Sequence, residues 1–366
     1  MARLAKFPLQ IEIRTLFKDI QVFKGNNEQH VVYELLVTNA SIYPVRIVGI
    51  RITGKKFKSV ITGKNLTNSF SKLSTANTRL PEDPLLQSNQ TGVIYLLLDF
   101  PDNVPDVLYH KVIIQSPVIT RQSIIINPIM LNEIHPIVIN PPLRGKKWLA
   151  DNAVSNASAH RRFILAFNGK LKIPQRTAID FTQYGPKGLY DGDPLIKENW
   201  YAYGHTIYSA TDGTVIRTLN NIVDNIPGQL PVDLPTPEIL GGNYVLIEMD
   251  DSHYAFYAHM IPGSVNVKVG DKVRTGQILG LLGNSGNSTA PHLHFHITNK
   301  PLPIGNASVP SVVNAQGIPW HFNKFIRNEY IIIEGPTGGI SNNVKVKNQV
   351  LVKDQMPMYD ELVTFR

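Results

Sequence analysis

Three histidines at alternate positions, His292, His294 and His296, are the strongest chemical signal in this sequence. Their neighbours are apolar or β-branched, which favours a β-strand. Because side chains alternate between the two faces of a strand, the three imidazoles are predicted to share one face, with Leu293 and Phe295 on the other. Neutral imidazole binds zinc, and it gains a proton near neutral pH, so such a face is suited to metal binding and proton transfer. The alternative is a solvated strand face that carries histidines with no chemical role.

Composition limits the other chemistry that this chain can perform. There is no cysteine, so disulfides and cysteine-type zinc sites are excluded, and a metal must bind to His, Asp or Glu. The net charge of +8 and the pI of about 9.4 favour anionic partners. No Lys/Arg run or aromatic–basic repeat indicates nucleic acid, and no apolar run reaches the length of a membrane span. We therefore expect neither a nucleic-acid partner nor a membrane span.

Residues 1–6 lack the apolar segment of a signal peptide, so the sequence itself gives no export route.

The pattern of short strands predicts a mostly β fold with two domains. Charged residues make up only 17% of the chain, and Gly and Pro number 26 each, which is typical of β proteins with many turns. Residues 1–135 are predicted to form an immunoglobulin-like β-sandwich that acts as an accessory domain. Its predicted strands are 10–15, 31–38, 46–53, 93–100 and 108–115. Those at 31–38 and 93–100 are apolar enough for burial on both faces.

The second half of the chain carries the chemical signals. The proline-rich residues 136–147 predict a semi-rigid linker. Residues 148–329 are predicted to form a β-rich domain that contains the histidine motif. Residues 330–366 are predicted to be a peripheral strand and tail.

Several motifs in this second domain occur in a characteristic order. They are Asp180 in Ala-Ile-Asp, Asp212-Gly213-Thr214-Val215, Tyr257-Ala258-His259, Val269-Gly270-Asp271-Lys272-Val273 with Gly276-Gln277, and Pro291-His292-Leu293-His294-Phe295. Together they resemble, over roughly residues 155–305, the lysostaphin/LytM-type zinc metallopeptidases, which cut peptide cross-links of bacterial peptidoglycan. The resemblance implies a domain similar to lipoyl/biotinyl-like barrels, a Zn²⁺ cofactor, peptidoglycan peptides as partners and a periplasmic or secreted location.

The same resemblance assigns roles to individual residues. Asp180 and His294 match two zinc ligands of the family. His259 and His292 match the two histidines that line the site as general base and transition-state stabiliser. Elementary chemistry agrees, since a catalytic zinc leaves a position open for water and a nearby histidine can accept that water's proton. The implied reaction is hydrolysis of a peptide bond by a metal-activated water.

One departure from the family pattern concerns the third ligand. The family has a histidine four residues before the aspartate, where this chain has Arg176, whose guanidinium offers no lone pair to a metal. Either the site has lost a ligand or another residue replaces it, and His160 is the candidate. If Asn168-Gly169-Lys170 is a three-residue hairpin loop, His160 shares a strand face with Asp180 and lies one diagonal step away. A two-residue loop would turn His160 to the opposite face.

Two other interpretations remain open. A catalytically degenerate relative could bind the cell wall or regulate a wall hydrolase, and Arg176 favours this reading. A lipoyl- or biotinyl-carrier domain would explain the Val269–Val273 turn, but the chain lacks the Met-Lys-Met tripeptide such carriers use. The sequence fixes neither the peptide bond that is cut nor the oligomeric state.

Overall fold

The computed structural model is mostly β, which confirms the predicted fold class. It describes residues 9–73, 82–131, 135–167, 169–230, 240–250, 252–301, 315–333 and 343–366. Two compact units divide the chain: the first comprises residues 1–22, 28–135 and 156–163, and the second residues 23–27, 136–155 and 164–366. In the described part of the chain, no helix has the length and apolar character needed to cross a membrane.

Among the described residues before 132, the structure has eleven strands and a short helix. They are β1 (Ile11–Thr15), β2 (Val22–Gly25), β3 (Glu28–Asn39), β4 (Val45–Gly54), β5 (Phe57–Thr62), α1 (Gly63–Asn68), β6 (Phe70–Lys72), β7 (Leu85–Leu86), β8 (Gln90–Phe100), β9 (Val107–Ser116), β10 (Ile119–Ile125) and β11 (Ile129–Met130). The first sheet has the order β1-β3-β8-β6 and the second the order β10-β9-β4-β5. Alternate residues of both sheets share one apolar core, because period-2 patterning directs every second side chain inward. The immunoglobulin-like detail of this sandwich stays a prediction.

Strand β3 is buried on both faces, as its apolar density predicts. Val31 and Val32, which are neighbours and therefore point to opposite faces, are 0% and 1% exposed. On one face Glu34 forms a fully buried ion pair with Arg161, at 2.8 Å between Oε1 and Nη2. Arg161 belongs to α2 (Ala159–Arg162), so this pair anchors the short helix to the first sheet. Breaking such a pair from one side leaves a buried charge uncompensated.

The described part of the second unit is built on a sheet of eleven strands. Its elements are β12 (Ile137–Ile139), β13 (Gly145–Asp151), β14 (Leu165–Phe167), β15 (Lys170–Lys172), β16 (Ile179–Gln183), a 3₁₀ helix (Lys197–Asn199), β17 (Thr206–Tyr208), β18 (Gly213–Leu219), β19 (Asn243–Asp250), β20 (His253–Met260), β21 (Lys272–Val273), β22 (Ile278–Leu281), β23 (Leu293–Thr298), β24 (Trp320–Ile333), β25 (Asn343–Gln355) and β26 (Glu361–Phe365). The sheet order is β12-β24-β26-β13-β16-β23-β20-β19-β18-β21, and β25 pairs with β24.

Two features of this sheet differ from the sequence prediction. The predicted linker at 136–147 contains β12, which pairs in parallel with β24, and the first residues of β13. The predicted peripheral tail at 330–366 instead supplies β25 and β26, and β26 lies inside the sheet between β24 and β13. The pairing partners of these strands are far away in sequence, so local patterns give no sign of their central position.

The apolar face of the histidine strand β23 packs on an aromatic core. Leu293, Phe295 and Ile297 are all fully buried. The Phe295 ring lies 5.1 Å from the Trp320 ring and 5.1 Å from the Tyr257 ring, measured between centroids. Burying this face fixes which way the alternate histidines must point.

Candidate metal centre

Asp180 and His294 meet across two paired strands. Strands β16 and β23 are antiparallel, and Asp180 lies directly opposite His294. Directly opposed residues project from the same face of a sheet, and here Asp180 Oδ1 lies 2.9 Å from His294 Nδ1. The sheet register therefore brings a carboxylate and an imidazole, which come from positions 114 residues apart, into direct contact.

The other two histidines of the motif lie beside this pair. His292 Nε2 is 3.4 Å from Asp180 Oδ1, and His296 Nδ1 is 2.8 Å from His294 Nε2. The three imidazoles thus share one face, as the alternation predicts. That face is not solvated, since His294 and His296 are 3% and 1% exposed.

His259 reaches the same place through an irregularity in β20. In the pairing of β19 with β20, Asn243 opposes Met260 while Val245 opposes Tyr257, so β20 contains one extra residue, which is a β-bulge. His259 has a φ of +65°, in the left-handed region that costs a non-glycine residue about 1 kcal/mol or more. In a regular strand His259 would share the face of Tyr257, toward the aromatic core. The bulge instead sets its ring 4.6 Å from the His292 ring between centroids.

The loop between β22 and β23, residues 282–292, fixes the orientation of both His259 and His292. The Nδ1–H of His259 donates to the carbonyl of Ser285 at 2.8 Å, and the Nδ1–H of His292 donates to the carbonyl of Ala290 at 2.7 Å. A carbonyl can only accept a hydrogen bond, so Nδ1 carries the proton in both rings. When neutral, each histidine therefore has its lone pair on Nε2.

A network of hydrogen bonds holds this loop in place. Asp224 Oδ1 accepts the backbone N–H of Asn284 at 2.9 Å, and Asp224 Oδ2 accepts the hydroxyl of Tyr203 at 2.7 Å. The side-chain amide of Asn225 donates to the carbonyls of Gly286 and Ser288 at 2.6 and 2.8 Å. These residues therefore position the carbonyls that orient the two histidines.

The surroundings shift the pKa values of these two histidines in opposite directions. Burial, reinforced by repulsion from His292 and His294, lowers the pKa of His259 well below its usual value. Burial also opposes protonation of His292, but the charge and hydrogen bond of Asp180 outweigh it and raise the pKa of His292. The arrangement thus separates a neutral imidazole from one that binds a proton more readily.

The structure does not support the strand geometry from which His160 was inferred. Strands β14 and β15 pair with Leu165 opposite Lys172, which corresponds to the two-residue loop rather than the three-residue loop. Neither register governs His160, because it lies in helix α2 and not on a strand. The residue is buried, with 7% of its surface exposed.

Sequence reasoning missed Asn152 at this site. Its side-chain amide donates to Asp180 Oδ2 at 3.2 Å, which leaves Oδ1 to the histidines. Asn152 has a φ of +48°, in the left-handed region that Asn tolerates better than most residues. It follows directly after β13, and no motif in the sequence marks it as a site residue.

The donor groups present fit a divalent metal such as zinc. The group contains one carboxylate and imidazole nitrogens, the set used by hydrolytic zinc sites with mixed His and acidic ligands. Arg176, at the family's ligand position, is 4% exposed and cannot bind a cation.

Comparison with known proteins identifies the region around the histidines. Residues 200–306 match the model of Peptidase family M23, a range that includes His259, His292 and His294 but not Asp180. The chain is 54% identical over 56 residues to glycyl-glycine endopeptidase ALE-1 of Staphylococcus capitis, which is 15% of this chain and 15% of that protein. It is 31% identical over 116 residues to peptidoglycan DD-endopeptidase ShyA of Vibrio cholerae, which is 32% of this chain and 22% of that protein.

A solved structure adds one further similarity. The catalytic domain of lysostaphin from Staphylococcus simulans is 23% identical, with a TM-score of 0.25, over 47% of this chain and 88% of that domain. The chain spans less than a quarter of the length of the two curated relatives. The resemblance that the histidine motifs predict is confirmed by the sequence matches: residues 200–306 match Peptidase family M23, and the chain is similar to peptidoglycan endopeptidases.

Proposed function

We propose that this protein is a zinc-dependent endopeptidase that hydrolyses peptide cross-links of bacterial peptidoglycan. The observation that carries the proposal is the contact of Asp180 with His294, beside two histidines that both present Nε2. A carboxylate and several imidazoles that converge on one spot are the groups that a cation site with a proton acceptor requires. A peptidoglycan substrate implies a periplasmic or secreted location.

The residues divide into metal ligands and proton-transfer groups. Asp180 and His294 would hold the metal, which when bound would polarise the scissile carbonyl and make water a stronger nucleophile. Of His259 and His292, one accepts the proton of the attacking water and the other stabilises the oxyanion. Their Nδ1–H groups are tied to backbone carbonyls, so both Nε2 atoms remain for this work.

His160 is proposed as the third ligand. The arginine at the position where the family has histidine supports this role, because the site otherwise lacks one ligand of the family pattern. The carbon stem and charge of Arg176 then serve packing or an anionic group rather than the metal.

A second candidate is a degenerate relative that binds the wall or regulates a wall hydrolase. The buried Arg176 favours it, because that residue removes one ligand of the family pattern. Metal content and turnover separate the two candidates.

The test combines metal analysis with digestion of purified peptidoglycan. For the enzyme, we expect about one zinc per chain, release of soluble peptide fragments, loss of release on chelation and its recovery with added zinc. His294→Ala should lose both metal and activity, whereas His253→Ala, at the far end of β20, should keep both. A wild-type chain that binds no zinc and releases nothing would overturn the hydrolase in favour of the regulator.

A further inference from the structure

His296 is buried beside a proposed metal ligand, and neither the catalytic scheme nor the family motif uses it. It is 1% exposed, and its ring lies 5.3 Å from the Phe256 ring and 5.0 Å from the His294 ring, measured between centroids. Its Nδ1 lies 2.8 Å from His294 Nε2. An imidazole so enclosed cannot change its hydrogen-bond partner without moving its neighbours.

His294 is within hydrogen-bonding distance of both Asp180 and His296. Its tautomer is therefore coupled to that of His296. His294 Nδ1 faces Asp180 Oδ1 at 2.9 Å, so a metal shared with Asp180 must bind to Nδ1. A neutral imidazole has one N–H and one lone pair, and a lone pair on Nδ1 requires the proton on Nε2. That Nε2–H points at His296 Nδ1, which must then be unprotonated in order to accept it.

The opposite arrangement would prevent metal binding. If His296 Nδ1 carried the proton, it would donate to His294 Nε2, and the proton of His294 would sit on Nδ1. That proton would point at Asp180, and Nδ1 would have no lone pair left to bind a metal. The tautomer of His296 therefore decides whether His294 can act as a ligand.

We infer that His296 is a positioning residue for the metal site: it accepts the Nε2–H of His294 and holds that ring with Nδ1 available to the metal. This inference rests on the proposed function only in that the site binds a metal. Groups that accept the second N–H of a metal-bound histidine fix its tautomer and orientation and raise its affinity for the metal.

Two substitutions separate hydrogen bonding from packing. His296→Asn places an amide Oδ1 near the position of His296 Nδ1 and keeps an acceptor, whereas His296→Leu has similar bulk and no acceptor. In a competition titration with a chromophoric chelator, we expect His296→Leu to bind zinc about 10–100-fold more weakly than wild type, and His296→Asn to stay within about threefold. Thermal unfolding without metal shows whether each variant is folded.

A spectroscopic readout tests the tautomer directly. Long-range ¹H–¹⁵N correlation of the zinc-loaded protein, labelled on histidine and assigned with His294→Ala, should show His294 with its proton on Nε2 in wild type and in His296→Asn. A proton on Nδ1 in wild type would overturn the inference. So would zinc affinity that is unchanged in His296→Leu, or equally reduced in both variants.

The outcomes for the inference and for the proposed function are distinct. Wild-type protein that binds zinc while His296→Leu binds it equally well refutes the inference alone. If zinc affinity depends on His296 but the protein releases no peptidoglycan fragments, the inference is supported and the proposed hydrolase function is refuted. A wild-type chain with no zinc affinity refutes both.

Discussion

At the scale of single residues, His259 shows how a backbone irregularity builds the site. The bulge and the positive φ turn its ring from the aromatic core toward His292. The ring lies beside His292 and its Nδ1 is hydrogen-bonded to a carbonyl, so Nε2 is the nitrogen left for the proton transfer proposed for this residue.

His259→Ala should therefore lower turnover strongly and keep the metal. Removing a general base or oxyanion-stabilising group costs about 10²–10⁴-fold in rate, whereas Asp180 and His294 are untouched. Peptidoglycan digestion and zinc analysis of the same preparation measure the two effects, with His253→Ala as the matched control. Unchanged turnover would refute the catalytic role.

The sequence could predict some of these residues because their placement is regular. His294 and Asp180 lie in strands whose alternation is visible in the sequence, and the family motifs mark both of them. Neither the contribution of Asn152 nor the bulge at His259 could be predicted, since both depend on left-handed backbone at residues that are not glycine. His160 was predicted to lie on a strand but lies in helix α2, because the pairing of the hairpin was assumed to continue beyond β14 and β15.

His160→Ala tests the proposed replacement ligand. Loss of one of three protein ligands should weaken zinc binding by at least about tenfold. Loss of a residue that only hydrogen-bonds to a ligand already costs about this much. Arg176→Ala should leave the affinity within the error of the titration, because the guanidinium donates no lone pair. Zinc affinity of His160→Ala equal to that of wild type would rule the ligand out.

At the scale of elements, the strands of the first unit are joined by a buried polar contact. Tyr33 of β3 and His110 of β9, from different sheets, share a hydrogen bond of 2.6 Å between the tyrosine oxygen and Nε2. Burial lowers the pKa of His110 to about 4, although a hydrogen bond to the backbone of Leu108 opposes this shift. The neutral ring accepts a hydrogen bond from the tyrosine hydroxyl, and protonation of His110 removes that acceptor.

This pair predicts acid sensitivity of the first unit. Because the pKa of His110 is lower in the folded chain than its ordinary value near 6.5, its contribution is complete above pH 6.5 and is lost as the pH falls toward 4. The difference in pKa corresponds to about 3 kcal/mol. His110→Gln keeps an acceptor for Tyr33 but does not titrate.

Urea-induced unfolding between pH 7 and pH 4 measures the effect. The free energy of unfolding of wild type should fall by about 3 kcal/mol more than that of His110→Gln over this range. Parallel curves for the two proteins would show that the pair does not control stability.

Element prediction succeeded where a strand is defined by its own residues. The predicted strands 31–38 and 93–100 lie within β3 and β8, since dense apolar and β-branched runs favour strands in any context. The positions of β12 and β26 were missed because these strands are placed by partners distant in sequence, which local periodicity does not reveal.

At the scale of the whole molecule, the proposed catalytic residues depend on neighbouring strands inside one large sheet. Strands β13, β16, β23 and β20 are consecutive in its order. Asn152 follows the first, and the other three carry Asp180, His294 and His259. Interior strands are paired on both sides, so the site is held by elements that open less readily than loops.

Metal binding should therefore stabilise a defined part of the chain. A ligand that binds only the folded state at about 100 times its Kd adds about 2.7 kcal/mol. The added protection should appear in the segments that hold the proposed ligands, namely β16, β23 and helix α2. Hydrogen exchange measured by mass spectrometry, with and without zinc, reports this protection segment by segment.

An edge strand and the His294→Ala variant serve as controls for the hydrogen-exchange measurement. Strand β25, at the edge of the sheet, should exchange at the same rate with and without zinc, because none of its residues is a proposed ligand. His294→Ala should lose the zinc-dependent protection in β16 and β23 together, since both strands are joined through the one metal. Protection that persists in this variant, or that is equal in β25 and β23, would mean that zinc binds elsewhere, and the assignment of Asp180 and His294 as its ligands would be wrong.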